Sequence, residues 1–148
     1  MQLLIVEDDT FKYSRIERLA KDSVPEIEIF RADSVCDAVN YLNEKSPDII
    51  ILDMSLPSHS PKAGEGTPLA MPAGGVEVIM EIDYLGKNDI PVMILTQYAD
   101  IQIENDYFSI DDAGMELRKN YSFSNLEVVF YEDGSEEWID KTKFFLGV

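Results

Sequence analysis

Four acidic side chains stand directly after short apolar runs. Glu7, Asp8 and Asp9 follow Leu3, Leu4, Ile5 and Val6, and Asp53 follows Ile49, Ile50, Ile51 and Leu52. Carboxylates crowded at one place repel one another and resist ionisation unless a cation sits among them. A hard oxygen-ligated ion such as Mg²⁺, which takes one or two carboxylates, waters and a substrate phosphate, suits Glu7, Asp8 and Asp53. Thr96 closes the apolar run Val92, Met93, Ile94 and Leu95 in the same way, and its hydroxyl can meet a phosphoryl oxygen.

These residues are useful only if the elements before them bring them together. Residues 3–6, 49–52, 92–95 and 128–130 are apolar without alternation, the pattern of central strands covered on both faces. Residues 26–31 alternate instead, with Ile27 and Ile29 flanking Glu28, which predicts an edge strand. Helical spacing lies between the strands. Ile16 and Leu19 mark a first helix, and Val35, Ala38, Val39 and Leu42 a second, capped by Ser34. Val78, Ile79, Ile82 and Leu85 mark another, and Trp138, Ile139, Thr142, Phe145 and Leu146 the last. Alternation of this kind, with right-handed crossovers, predicts an α/β fold: a doubly wound five-stranded parallel sheet in the flavodoxin-like order 2-1-3-4-5 with helices on both faces. In that order the first and third strands are neighbours, so Glu7, Asp8 and Asp53 meet at the carboxyl edge. Two stretches depart from the rhythm. Residues 55–75, rich in proline and glycine, predict a long loop, and residues 97–125 predict an acidic helix with a ragged lead-in.

The 148 residues predict one domain, and 45% hydrophobic residues are enough for a core. With 29 acidic against 12 basic residues the net charge is −17, a field that disfavours nucleic acid and anionic membrane surfaces. The start MQLLIVEDD lacks the basic and apolar regions of a secretory signal, and the single Cys36 allows no internal disulfide, so a cytoplasmic location is expected.

IVEDD, DIIILDMSLP and PVMILT at this spacing resemble the receiver domain of two-component response regulators, over the chain from Met1 to the last helix. The resemblance implies a phosphorelay signalling protein that takes a phosphoryl group from a histidine kinase or a histidine phosphotransfer protein. By that resemblance Asp53 is the phosphoacceptor, Mg²⁺ is held by Glu7, Asp8, Asp53 and the backbone carbonyl of Ser55, and Thr96 is the switch that contacts the phosphoryl group. It implies no classical enzyme, only self-catalysed phosphotransfer and dephosphorylation. Output then passes through contact with a downstream protein, because the receiver reads as stand-alone. The alternative is a pseudo-receiver, an interaction module that signals without phosphorylation. An aspartate-dependent hydrolase would usually carry a second aspartate where Ser55 stands.

The chain departs from the family in two places. Receivers usually end the fifth strand with a lysine, where this chain has Tyr131, a residue with one hydrogen bond to give and no charge. The loop after Asp53 is also far longer than usual, which predicts a cover over the site. Lys12, Arg15, Arg18 and Lys21 read as a solvated basic face of the first helix, beside which the resemblance places kinase docking. Cys36, one position off its stripe, predicts a partly buried inert thiol. His59 predicts an exposed loop residue, the glycines of the long loop predict turns, and Trp138 predicts packing of the last helix.

Overall fold

The computed structural model describes residues 1–148. Five parallel strands, β1 (Gln2–Val6), β2 (Glu28–Ala32), β3 (Ile49–Leu52), β6 (Val92–Thr96) and β9 (Leu126–Phe130), form one sheet in the order β2-β1-β3-β6-β9. In terms of successive sheet strands this is the expected order 2-1-3-4-5. Helices α1 (Thr10–Ser23), α2 (Val35–Glu44), α3 (Gly74–Tyr84), α4 (Ile110–Tyr121) and α5 (Glu137–Phe145) connect and cover it. β1, β3 and β6 are buried on both faces because successive side chains feed two separate apolar clusters. Leu4, Val6, Ile50, Leu52 and Ile94 pack with α2, α3 and α4. Leu3, Ile5, Ile51, Met93 and Leu95 pack with α1 and α5, around Trp138.

The register sets up the site. Val6 pairs with Leu52, and Leu52 with Ile94, so the residues that follow β1, β3 and β6 emerge side by side. Local chemistry then turns the chain into each helix. The Asp9 side chain accepts from the Lys12 backbone N–H at 2.9 Å as the N-cap of α1, and Ser34 and Ser109 cap α2 and α4 likewise.

Five expectations are corrected. β9 is the far edge of the sheet and not a central strand, and its Phe130 is exposed. Residues 97–125 hold an antiparallel hairpin, β7 (Asp100–Ile103) and β8 (Asp106–Ser109), before α4 begins. Ile101 and Ile103 are buried while Asp100 is exposed and Gln102 half-buried, an alternation of period two, and Glu104 takes a left-handed φ of 56° at the turn. The long loop is pinned at its base by two short strands, β4 (Leu56–Pro57) and β5 (Ala70–Met71). Beyond that base Cys36 N–H donates to Ser58 O, and Ser60 Oγ donates to Asp33 at 2.6 Å. Cys36 is exposed and His59 is half-buried beside Ser58, the reverse of what the sequence predicts for each. Trp138 is buried as expected.

Candidate functional site

The carboxyl edge gathers Glu7, Asp8 and Asp53, whose oxygens lie within 4.8 Å of one another. Backbone ties hold them there: Glu7 N–H donates to Ala32 O at 2.9 Å and Asp53 N–H to Val6 O at 3.0 Å. Arg31, on the neighbouring strand, donates to the carbonyls of Glu7 and Asp8 at 3.3 and 3.4 Å. Asp8 is exposed, whereas Glu7 and Asp53 are nearly closed off, at 1% and 4%.

Sequence reasoning missed the fourth member. Lys12 is 2% exposed, and it points away from solvent into the acid cluster. Its Nζ lies 2.7 Å from Glu7 Oε1 and 3.2 Å from Asp53 Oδ1, and it donates to the Leu95 carbonyl at 2.6 Å. The expected solvated basic face therefore loses Lys12, while Arg18 and Lys21 are exposed as expected and Arg15 is half-buried. Its other members are all paired: Arg15 with Asp133, Arg18 with Asp22 and Lys21 with Glu17. A signal for the inward lysine is present in the chain, since Lys12, Ile16 and Ala20 are the buried residues of α1, at strict i, i+4 spacing. A long charged side chain in phase with an apolar stripe is a buried one, provided its charge finds partners at the end of the stripe.

Burial and mutual repulsion push the Glu7 carboxyl up, with Lys12 opposing the rise. Burial also raises Asp53, against the pull of Lys12 and of the Met54 N–H that donates to its Oδ1 at 2.8 Å. One ammonium thus serves two buried acids and leaves the cluster electron-rich. Glu7 Oε1 forms its ion pair with Lys12 off the hydrogen-bond direction, so this buried oxygen keeps lone-pair capacity. A donor set of hard carboxylate oxygens with spare capacity fits a small divalent cation.

Thr96 is fully buried at the end of β6, and its Oγ1 accepts from Tyr98 N–H at 3.2 Å. Ser55 is half-buried where the long loop leaves β3, and lines a cavity of about 420 Å³ with Met54, Pro72, Tyr98 and Tyr107. Tyr131 is 6% exposed and packs on Trp138 with ring centroids 4.8 Å apart. Its ring lies 5.4 Å from Lys12 Nζ and its hydroxyl has no protein partner. The positive charge that Tyr131 cannot supply therefore reaches the site from α1.

Gly74 and Gly75 do not serve turns, as the sequence suggests. They begin α3 against the backbone beside the site, where a Cβ on Gly75 would lie 2.5 Å from the Asp53 carbonyl oxygen. Gly64 and Gly66, with φ of 82° and 72°, do occupy turn conformations that glycine favours.

The family model for the response regulator receiver domain matches residues 3–129. The chain is 40% identical over 146 residues to the Detocs response regulatory protein DtcB of Vibrio alginolyticus, covering 97% of this chain and 98% of that one. A shorter match, 37% over 57 residues, reaches the chemotaxis protein CheY of Listeria monocytogenes, covering 38% of this chain and 47% of that one. Among solved structures, the signal receiver domain of a LuxO repressor protein from Vibrio parahaemolyticus superposes with a TM-score of 0.63 at 22% identity, covering 99% of this chain and 86% of that one. The phosphorylated cyanobacterial phytochrome response regulator RcpA gives 0.65 at 19%, covering 97% and 89%. Identities this low speak for the fold, while the family model and the 40% relative speak for descent, and on that ground the chain belongs to the response regulator receiver family.

Proposed function

We propose that the protein is a phosphoacceptor receiver in which Asp53 takes a phosphoryl group from a phosphohistidine of a histidine kinase or phosphotransfer protein. The observation that carries this reading is the Asp53 carboxylate, buried at a strand end between two further acids and a buried ammonium. Both donors on Asp53, Met54 N–H and Lys12, meet Oδ1, which leaves Oδ2 to attack. The bond from Oδ2 to phosphorus forms as the donor's P–N bond breaks, and the electron pair leaves on the imidazole nitrogen, which takes a proton from solvent.

Glu7, Asp8 and Asp53, with the Ser55 carbonyl, would hold Mg²⁺. When bound, the ion offsets the charge of the transferring group and helps orient it. The chain's own part is positioning. β1 and β3 fix the acids, Arg31 braces the backbone of the acid pair, and the Thr96 hydroxyl at the end of β6 is placed to receive a phosphoryl oxygen. Contact with an unidentified downstream protein would carry the signal. No helix is long and apolar enough to cross a membrane, which is compatible with the proposed cytoplasmic setting. The retained acid cluster favours this reading over a module that signals without phosphorylation. Incubation with phosphoramidate and Mg²⁺, followed by intact-mass measurement, should add one phosphoryl group to the wild type and none to Asp53→Asn. Equal labelling of both, or of neither, refutes the assignment.

A further inference from the structure

The Lys12 ammonium has three N–H donors and three near neighbours: Glu7 Oε1, Asp53 Oδ1 and Leu95 O. The ammonium is hydrogen-bonded to Leu95 O and in ion-pair contact with both acids, so a new anionic partner competes with these three for it. The three neighbours are not equivalent. Glu7 is a carboxyl group that phosphoryl transfer does not modify. Asp53 Oδ1 shares a full negative charge only until the acyl phosphate forms, after which it is a neutral ester-like carbonyl. Leu95 O is neutral throughout and belongs to the peptide that joins Leu95 to Thr96 at the end of β6.

We propose that Lys12 is the group that contacts the phosphoryl moiety on Asp53 and reports its arrival to β6 through the Leu95 carbonyl. This rests on Asp53 being the phosphoacceptor. Before transfer, the ammonium is drawn to Asp53 Oδ1. Once Oδ2 carries phosphorus, the charge once spread over the carboxylate is replaced by roughly −2 on the phosphoryl oxygens, a few bonds further out, and charge-assisted bonding favours the oxygen that now holds it. The ammonium re-aims from Oδ1 to a phosphoryl oxygen. One Nζ, on a side chain rooted in the first turn of α1, serves both partners, so its shift toward the phosphoryl group re-aims the 2.6 Å bond to Leu95 O. The Leu95–Thr96 peptide therefore senses the phosphoryl state directly, one residue from the hydroxyl at the same strand end. The Tyr131 ring, 5.4 Å away, walls the ammonium in on the β9 side.

The test uses the full chain with Mg²⁺ and beryllofluoride as the phosphoryl mimic, read by the Lys12 side-chain ammonium resonance and the Thr96 backbone amide. The Thr96 nitrogen belongs to the same peptide as Leu95 O, so its shift follows the hydrogen bond at that carbonyl. In the wild type both signals should move on adding the mimic. In Lys12→Met the Thr96 amide should already be displaced without the mimic, and its response should fall to less than half. The rate of labelling by acetyl phosphate should drop by about 10²-fold, as when one preorganised charge-stabilising donor is lost. An equal Thr96 response in wild type and Lys12→Met overturns the inference while leaving the phosphoacceptor reading intact. A wild type that takes up neither mimic nor phosphoryl group overturns both. Where Lys12→Met does not fold, the wild-type ammonium decides alone: a resonance that stays unchanged as the mimic binds refutes the contact.

Discussion

Substituting Gly75 by alanine tests how the site is built, because two effects of opposite sign compete there. In a helix interior the change from glycine to alanine stabilises by up to about 1 kcal/mol through lower unfolded-state entropy. Here the added Cβ would stand 2.5 Å from Asp53 O and 2.8 Å from both Met54 Cα and Met54 Sδ. Relief to the 3.4 Å of an ordinary contact requires a shift of 3.4 − 2.5, about 0.9 Å, and the main obstacle is backbone, not a swinging side chain. Overpacking of this kind costs about 1–3 kcal/mol. The same movement strains the 2.8 Å bond from Gly75 N–H to Met54 O, worth about 1 kcal/mol. The steric terms win, and Gly75→Ala should lose about 1–3 kcal/mol, read as a lower urea midpoint at unchanged slope. It should also slow phosphoryl uptake, since the peptide pushed aside carries the Met54 N–H that holds Asp53 Oδ1. Gly86→Ala is the control. Gly86 sits at φ 70° in open space after α3, so it should cost about 1 kcal/mol with uptake unchanged. A Gly75→Ala protein as stable as the wild type would refute the close approach of α3 to β3.

Mg²⁺ at about 100 times its Kd should stabilise the wild type by about 2.7 kcal/mol in thermal unfolding and leave Asp8→Ala unaffected; equal gains would place the ion elsewhere. Replacing residues 61–69, all exposed but the half-buried Pro68, by a short turn on the β4–β5 base should stabilise by about 1 kcal/mol through loop-closure entropy, and should speed labelling by acetyl phosphate if the loop screens the site. A slower rate in a folded variant would refute the screen. Tyr131→Phe should lower the unfolding free energy by less than about 0.5 kcal/mol or raise it, read from urea unfolding, because the buried hydroxyl has no protein partner. Tyr131→Lys should lose about 3 kcal/mol by setting a second ammonium beside Lys12 and emptying the space against Trp138.

The strands that build the site were legible because their cause is local. A run such as Ile49 to Leu52 cannot be covered on one face only, and an acid directly after it must emerge at the sheet's carboxyl edge. The convergence of Glu7, Asp8 and Asp53 followed from strand order alone. The β7–β8 hairpin was hidden because its period-two signal spans only Ile101 and Ile103, and the acids around it imitate a solvated helix. The roles of Gly74 and Gly75 were hidden for a different reason. A glycine needed for close approach and one needed for a turn look alike until the neighbour is placed, and here the neighbour is β3's own exit, some twenty residues earlier in the chain. Cys36 lay off the stripe as its position indicated, but how far off depended on the register of α2 against the sheet.

Lys12 was hidden by its chemistry, and its placement explains why the cluster acts as a unit. A cation in the first turn of a helix opposes the helix dipole, and a buried ammonium loses its hydration; neither is tolerated without compensation. At an effective dielectric constant near 20, the Lys12 attractions at 2.7 Å to Glu7 and 3.2 Å to Asp53 are worth about 6 and about 5 kcal/mol, set against a single repulsion between the two acids. One ammonium therefore outweighs the conflict between Glu7 and Asp53, and each acid in turn makes the buried lysine tolerable. Removing any one of the three strands the others: loss of Lys12 leaves two repelling acids, and loss of an acid leaves a poorly matched cation. A sheet-borne lysine would report a phosphoryl group to its own strand. A lysine borne by α1 is bonded to β6 while its backbone is anchored through the Asp9 cap to the turn that carries Glu7 and Asp8, so the same charge ties the acid pair and the Thr96 strand into one electrostatic element.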